Sequence, residues 1–291
     1  MRSGRSVNAD ASFGDRLLSV EPPRPAVCQN QLMRANPLRD KWSAGQVAYG
    51  GWMAIPSAVT AEVMAATDLD YLCIDMQHGL IDYSDSVHIL QALTLGGATP
   101  TVRVPENSPS HISKALDAGA MAIIVPMVNS REDCQAGVDS CFYAPKGGRS
   151  YGPTRAASVE GSDYYEMAND VISCIPMVET VEAVNDLDGI LSMDGVDAIY
   201  VGPADLAISM GMAPGQAQPE FLAALDAIVA ACRQHNVVPG IHATPSTAGD
   251  RIGRGFRMIT VVADLPVFAA GVTASIALAR GEGADTNDRP Y

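Results

Sequence analysis

ISCIPMVETVEAVNDLDGILSMDGVDAIYVGPADL, residues Ile172–Leu206, is the stretch whose reading decides the fold. An apolar run, Ile172–Val178, ends at Glu179. A helical segment follows, with apolar residues at Val181, Val184, Leu187 and Leu191. A second apolar run, Val196–Val201, then meets Gly202-Pro203-Ala204-Asp205. This is a strand–helix–strand unit in which each strand leads into an acid. Neighbouring parallel strands lie ~4.8 Å apart, so two carboxylates one crossover apart can face one small object. A divalent cation is the natural candidate, because it offsets the repulsion of two like charges.

The same rhythm runs outward in both directions. Strands are expected at Val47–Ile55, Tyr71–Asp75, Thr101–Val104, Ala122–Pro126, Ile172–Val178, Ala198–Val201, Val238–Ile241 and Met258–Val262. Helices are expected at Ala58–Ala66, Ser84–Leu95, Pro109–Ala118, Arg131–Cys141, Val181–Met193, Pro219–His235, Ser246–Arg251 and Pro266–Arg280. Strand–helix pairs repeated in this way predict a closed (β/α)8 TIM barrel. An open doubly wound sheet would need a GxGxxG fingerprint after its first strand, where the chain reads AIPSAVT.

The domain plan has three parts. Residues 1–40, with the Pro-rich EPPRPAVCQN and no sustained periodicity, read as an extension, either flexible or an arm on a neighbouring subunit. Residues 41–282 form the barrel and 283–291 a polar tail. The long stretch Tyr143–Asp170, with KGGRSYGPTRAA, reads as an irregular loop over the C-terminal mouth.

Composition bounds the function. The 291 residues are 47% hydrophobic, 5% aromatic and 18% charged, enough for one large core. A net charge of −14 argues against a nucleic-acid partner, which needs clustered Lys and Arg. The six cysteines form no CxxC pair and no metal-ligand spacing. No run reaches the ~18 apolar residues of a membrane span, and the N-terminus lacks the apolar core of a signal peptide. The expectation is a soluble, cytoplasmic protein.

In a barrel of this kind chemistry gathers where strands end. Those points carry Asp75-Met76-Gln77-His78, then Arg103, Glu179, Gly202-Pro203-Ala204-Asp205 and His242. Two acids, a cation and a titratable base suggest metal-assisted proton transfer rather than a nucleophile triad. Singly, either acid could be a helix-start carboxylate, Arg103 a rim salt bridge and His78 a polar loop residue. Together they make a site. The three lysines (Lys41, Lys114, Lys146) fall outside the expected strands, so a Schiff-base nucleophile is missing and a metal is the better electron sink. Oxygen-only ligation by Glu179 and Asp205 suits Mg²⁺, Mn²⁺ or Co²⁺.

YLCIDMQHG, TVRVP, KALDAGA, IIVPMV, GGRSYGPTRA, MVET and VDAIYVGPADLAISMG, in that order across roughly residues 45–275, resemble the HpcH/HpaI aldolase family of metal-dependent pyruvate aldolases. The resemblance implies a TIM barrel whose last helix is exchanged between subunits of a homo-oligomer, commonly a hexamer built as a trimer of dimers. It implies cleavage of a 4-hydroxy-2-oxo acid to pyruvate and an aldehyde, and the reverse addition, with a 2-oxo acid and an aldehyde as the small-molecule partners. Residue by residue, it implies Glu179 and Asp205 as metal ligands and Arg103 at the keto oxygen. His78 becomes the base acting on the 4-hydroxyl, the step for which imidazoles are suited. Asp117 matches the aspartate that raises this histidine's basicity, with Asp75 also near enough to orient it. Backbone of the Gly202-Pro203-Ala204-Asp205 turn contacts the pyruvate carboxylate.

Two departures from the family pattern bear on substrate. Met177 stands where many members carry a substrate-touching glutamine, and GGRSYGPTRA lacks the GIRGVG form of the heptanedioate-cleaving members. Enolate chemistry on other substrates is therefore an open alternative. One form is oxaloacetate decarboxylation in the manner of macrophomate synthase. Another is CoA-ester cleavage, with Arg149 and Arg155 as the basic candidates for its phosphates. A non-catalytic barrel is the remaining alternative.

Overall fold

A computed structural model describes residues 36–215 and 218–282. Most of the expected extension and the whole polar tail lie outside the described residues. Eight parallel strands close into a barrel in sequence order: β1 Ala48–Met53, β2 Tyr71–Asp75, β3 Thr99–Arg103, β4 Ala122–Val125, β5 Ser173–Val178, β6 Ala198–Val201, β7 Val238–His242 and β8 Met258–Ala263. The chain is a (β/α)8 TIM barrel. Strands β2, β4, β5 and β6 are buried along their whole length. They therefore read as unbroken apolar runs rather than alternating ones, because helices cover one face and the barrel interior the other.

The main outer helices are α2 Ala58–Ala65, α3 Tyr83–Leu93, α4 Pro109–Asp117, α5 Arg131–Cys141, α11 Pro219–His235, α12 Pro245–Arg254 and α13 Asp264–Ala279. Several start on a side-chain cap that satisfies free backbone N–H groups. Ser57 Oγ accepts from Thr60 N at 3.2 Å, and Asp82 and Asp85 form a reciprocal capping box at the start of α3. The helix expected at Val181–Met193 is broken into α8 Val181–Asn185 and α9 Leu187–Leu191. Asp186 lies between them, its carboxylate accepting from Arg131 N at 2.7 Å.

Helix α1, Pro37–Ser43, straddles the boundary expected at residue 40. Its Asn36 cap donates to Val171 O at 2.9 Å, and Leu38 and Trp42 join the cluster that fills the barrel interior. The helix thus plugs the N-terminal end of the barrel, so the folded unit begins before residue 41. Higher in the interior, Tyr71 and Tyr200 are fully buried, and both hydroxyls meet Thr260 Oγ1, at 2.8 and 2.5 Å. Pairing the phenols is what makes their burial tolerable.

The stretch Tyr143–Asp170 does not cover the mouth. It follows α5 and precedes β5, so it returns the chain to the end where strands begin. It contains two helices, α6 Thr154–Glu160 and α7 Tyr164–Val171, and Arg155 donates to Ala118 O at the C-cap of α4 and to Leu90 O in the last turn of α3.

Helix α13 is unlike the others. Leu265, Val267, Phe268, Val272, Ile276 and Leu278 are all exposed, Phe268 by 66%, and among its residues only Asp264 is buried. Asp264 ties its start to the barrel by accepting from the N–H groups of Ala54 and Ile55, at 2.9 and 3.0 Å.

Candidate active site

Asp75 and Arg103 close β2 and β3 and are register partners, so they sit side by side at the C-terminal mouth. Arg103 Nε donates to Asp75 Oδ1 at 2.8 Å and Nη2 to Oδ2 at 2.6 Å. The same carboxylate accepts from Trp52 Nε1 at 3.0 Å and from the backbone N–H groups of Gln77 and His78 at 3.1 and 3.2 Å. Burial pushes the Asp75 carboxyl up, but the Arg103 hydrogen bonds and charge, with the Trp52 bond, more than reverse this and leave it below the ordinary carboxylate value. Arg103 also lies 4.9 Å over the Trp52 ring, while among the described residues the one hydrogen-bond contact of its Nη1 is the Met177 sulfur at 4.0 Å. The guanidinium is therefore fixed from one side and directed from the other.

Glu179 follows β5 directly and is buried, with Oε1 accepting from Met127 N at 2.8 Å. Met127 reaches that position with a left-handed φ of 55°. Burial raises the Glu179 pKa and the Met127 N–H pulls against it. The charge of Asp205 adds to the rise, and the net shift is upward. Val178 and Val201 are register partners, which brings Gly202 level with Glu179. A Cβ on Gly202 would stand 2.4 Å from Glu179 Oε2 and 3.0 Å from its Cβ. Glycine is required there to let the carboxylate in. Helix α10, Pro203–Ser209, then carries Asp205 in its first turn.

A cavity of about 210 Å³ is lined by His78, Arg103, Met177, Gly202, Pro203, Ala204 and Asp205, all expected from the sequence, together with Trp52, Tyr200 and His242, while Glu179 lies against Gly202 outside that lining. Asp75 supports it through Arg103. Trp52 went unselected because an indole inside an apolar run reads as core, although an indole N–H that must find a partner is a usable signal. No lysine lines the cavity: Lys41 pairs with Asp70, Lys114 lies over Tyr83, and Lys146 bonds Asn169 O.

Asp117 is not in this site. It ends α4, next to the start of β4 at the opposite end of the barrel, and its Oδ1 accepts from Arg149 Nη2 at 2.6 Å. A helix residue one turn before the next strand must lie where strands begin, so within one chain it does not orient His78. Arg149, stacked 4.5 Å from the Tyr143 ring, lines a larger cavity of about 590 Å³ along the outer flank of α4 and α5 that contains none of the strand-end acids. Neither Arg149 nor Arg155 reaches the mouth, and the CoA alternative loses its basic residues.

A metal would fall to Glu179 and Asp205. Among the described residues no group of three or more His, Cys, Asp or Glu is placed to hold an ion. Burial and the Asp205 charge raise the cost of ionising Glu179, a cost that a divalent cation would offset. A two-carboxylate donor set fits a hard cation that keeps most of its positions for water and substrate.

The fold and its strand-end acids make this mouth the candidate site of a TIM-barrel enzyme. The HpcH/HpaI aldolase/citrate lyase family matches residues 49–270, and the chain belongs to that family. It is 38% identical over 248 residues to a hydroxypyruvate/pyruvate aldolase of Rhizorhabdus wittichii, covering 84% of this chain and 99% of that one. A crystal structure of a family member from Burkholderia cenocepacia superposes with a TM-score of 0.80 at 32% identity, covering 84% of this chain and all of the other. Macrophomate synthase superposes with a TM-score of 0.76 at 27% identity, over 84% of this chain and 88% of its own. The chain is an enzyme of the aldehyde-lyase class. No helix among the described residues is long and apolar enough to cross a membrane.

Proposed function

We propose that this enzyme is a divalent-metal-dependent aldolase that cleaves a 4-hydroxy-2-oxo acid to pyruvate, or a close relative of it, and an aldehyde, and runs the reverse addition. The carrying observation is one small cavity lined by an exposed His78, Asp205 and an Arg103 fixed by Asp75, with no lysine, and with the buried Glu179 carboxylate held against Gly202 of its lining. Mg²⁺, Mn²⁺ or Co²⁺ held by Glu179 and Asp205 would supply positive charge beside the oxygens of the 2-oxo acid.

The chain's own residues do the rest. Backbone at Ala204 and Asp205 receives the substrate carboxylate, and Arg103 Nη1 donates to the keto oxygen. His78 takes the 4-hydroxyl proton, the C3–C4 bond breaks, C4 leaves as the aldehyde carbonyl, and the electron pair enters the C2–C3 bond. Arg103 offsets the enolate charge without giving up a proton. Protonation at C3 completes pyruvate. Met177 contributes no hydrogen bond to this scheme and leaves Nη1 to the substrate.

We also propose a homo-oligomer, a hexamer arranged as a trimer of dimers, in which α13 is exchanged between copies. Support comes from the uncovered apolar face of α13, which a lone soluble chain would not keep in water. An Asp117–His78 contact could form only between copies. The second reading, oxaloacetate decarboxylation to the same enolate, is favoured by the likeness to macrophomate synthase.

The test is pyruvate and aldehyde release from 4-hydroxy-2-oxo acids by protein stripped with EDTA and then reloaded. Activity restored by metal supports the reading. Release from oxaloacetate alone would favour the second.

A further inference from the structure

His242 ends β7 where two cavities meet. It lines the strand-end cavity beside Trp52 and Tyr200. It also lines a second cavity of about 350 Å³, which shares Pro203 and Ala204 with the first and continues to Thr247 and Arg251. The imidazole is half-buried, set edge-on to Trp52 with ring centroids 5.3 Å apart, and makes no hydrogen bond among the described residues.

The rest of that wall has no polar group to spare. Trp52 Nε1 is committed to Asp75 and the Tyr200 hydroxyl to Thr260, and Met177 is a thioether. Burial lowers the His242 pKa and the Arg103 charge lowers it further, against a smaller opposing effect of Asp75. The ring is held neutral and so presents one N–H donor and one lone pair. A donor 2-oxo acid whose carboxylate and keto oxygen face Asp205 and Arg103 turns its C3 toward the remaining walls, where, apart from the His78 that the aldolase reading assigns to the 4-hydroxyl, His242 is the lining side chain with polar atoms uncommitted among the described residues.

We propose that His242 is a specificity residue that hydrogen-bonds a hydroxyl on C3 of the donor, so that the pocket takes 3-hydroxy-2-oxo acids such as hydroxypyruvate in preference to pyruvate. The assignment rests on the aldolase reading above and names the donor class for the same site. With pyruvate the imidazole gains no hydrogen bond from the donor's C3. A hydroxyl at C3 supplies one, and a site built to bond a hydroxyl discriminates against the analogue that lacks it.

Enolisation can be read without any aldehyde. The C3–H bond breaks, its electron pair enters the C2–C3 bond, the proton passes to solvent, and a deuteron returns to C3. NMR in D₂O follows this exchange for hydroxypyruvate and for pyruvate with the metal-loaded protein. The kcat/KM ratio, hydroxypyruvate over pyruvate, is expected to exceed one. His242→Phe is expected to lower that ratio roughly tenfold, chiefly through KM. His242→Asn, which keeps a donor and an acceptor, is expected to recover part of it. A ratio unchanged in His242→Phe, or equal losses for both donors in both variants, overturns the assignment. Absence of exchange with either donor in the unaltered protein would overturn the enolate reading itself, and the assignment with it.

Discussion

Arg103 and Asp75 meet in two parallel hydrogen bonds, Nε to Oδ1 at 2.8 Å and Nη2 to Oδ2 at 2.6 Å, with both side chains almost wholly buried. The pair uses one edge of the guanidinium for structure and leaves free of it Nη1, the atom that the proposed reaction assigns to the keto oxygen. It is the junction between the stability of the mouth and its chemistry.

Removing one partner of a buried pair strands the other charge. Asp75→Asn is expected to cost about 3 kcal/mol at pH 7. The native pKa of Asp75 is depressed, so its contribution is present above the ordinary carboxylate value of about 3.9 and is lost as pH falls through the lower native value. The gap between the unaltered protein and Asp75→Asn in urea unfolding should be full from pH 7 down to about 4 and should shrink below that. A gap independent of pH down to the acid limit would refute the pairing.

Arg103→Lys keeps a charge and loses the fork. Its kcat/KM should fall about a hundredfold, the scale for losing one donor to a developing oxyanion. Arg103→Ala should lose at least as much activity and also destabilise the fold, by leaving Asp75 buried and uncompensated. Cleavage kinetics and urea melts measured together separate the two effects.

Gly202→Ala places a methyl 2.4 Å from Glu179 Oε2 and must push that carboxylate aside. Divalent-metal affinity by calorimetry should weaken by about an order of magnitude or more, the scale of a perturbed metal-site neighbour. Unaltered affinity would show that Glu179 is not a ligand.

The strand ends were legible in the sequence. β2 and β6 match their expected limits, and β5 begins one residue late. The acids, Arg103 and His78 follow from those limits, because a strand that runs into an acid fixes where the acid lies. Asp117 was not legible. Its spacing within KALDAG places it at a helix end, but its partner Arg149 lies 32 residues on, and only the tertiary course of the stretch after α5 brings them together. That stretch was misplaced because its length suggested a mouth loop, whereas its order, helix before and strand after, assigns it to the other end. Helix α1 was missed because seven residues carry only two core positions, too few for a periodic signal, although Asn36 followed by Pro37 is a legible helix start. His242 was visible as a strand end, but its free imidazole and its place between two cavities appear only in three dimensions.

The apolar face of α13 predicts assembly. Phe268→Glu together with Val272→Glu should shift the protein from oligomer to smaller species in light scattering, since both side chains are exposed in the single chain. An unchanged mass would exclude this face from the interface.

The most direct measurement of the central claim is deuterium exchange at C3 of pyruvate by NMR, with no aldehyde present. The account predicts exchange in metal-loaded protein, loss of exchange on complete metal removal, recovery on adding Mg²⁺, Mn²⁺ or Co²⁺, and no exchange in Glu179→Gln. Exchange that persists undiminished in fully metal-free protein, or in Glu179→Gln, would contradict it.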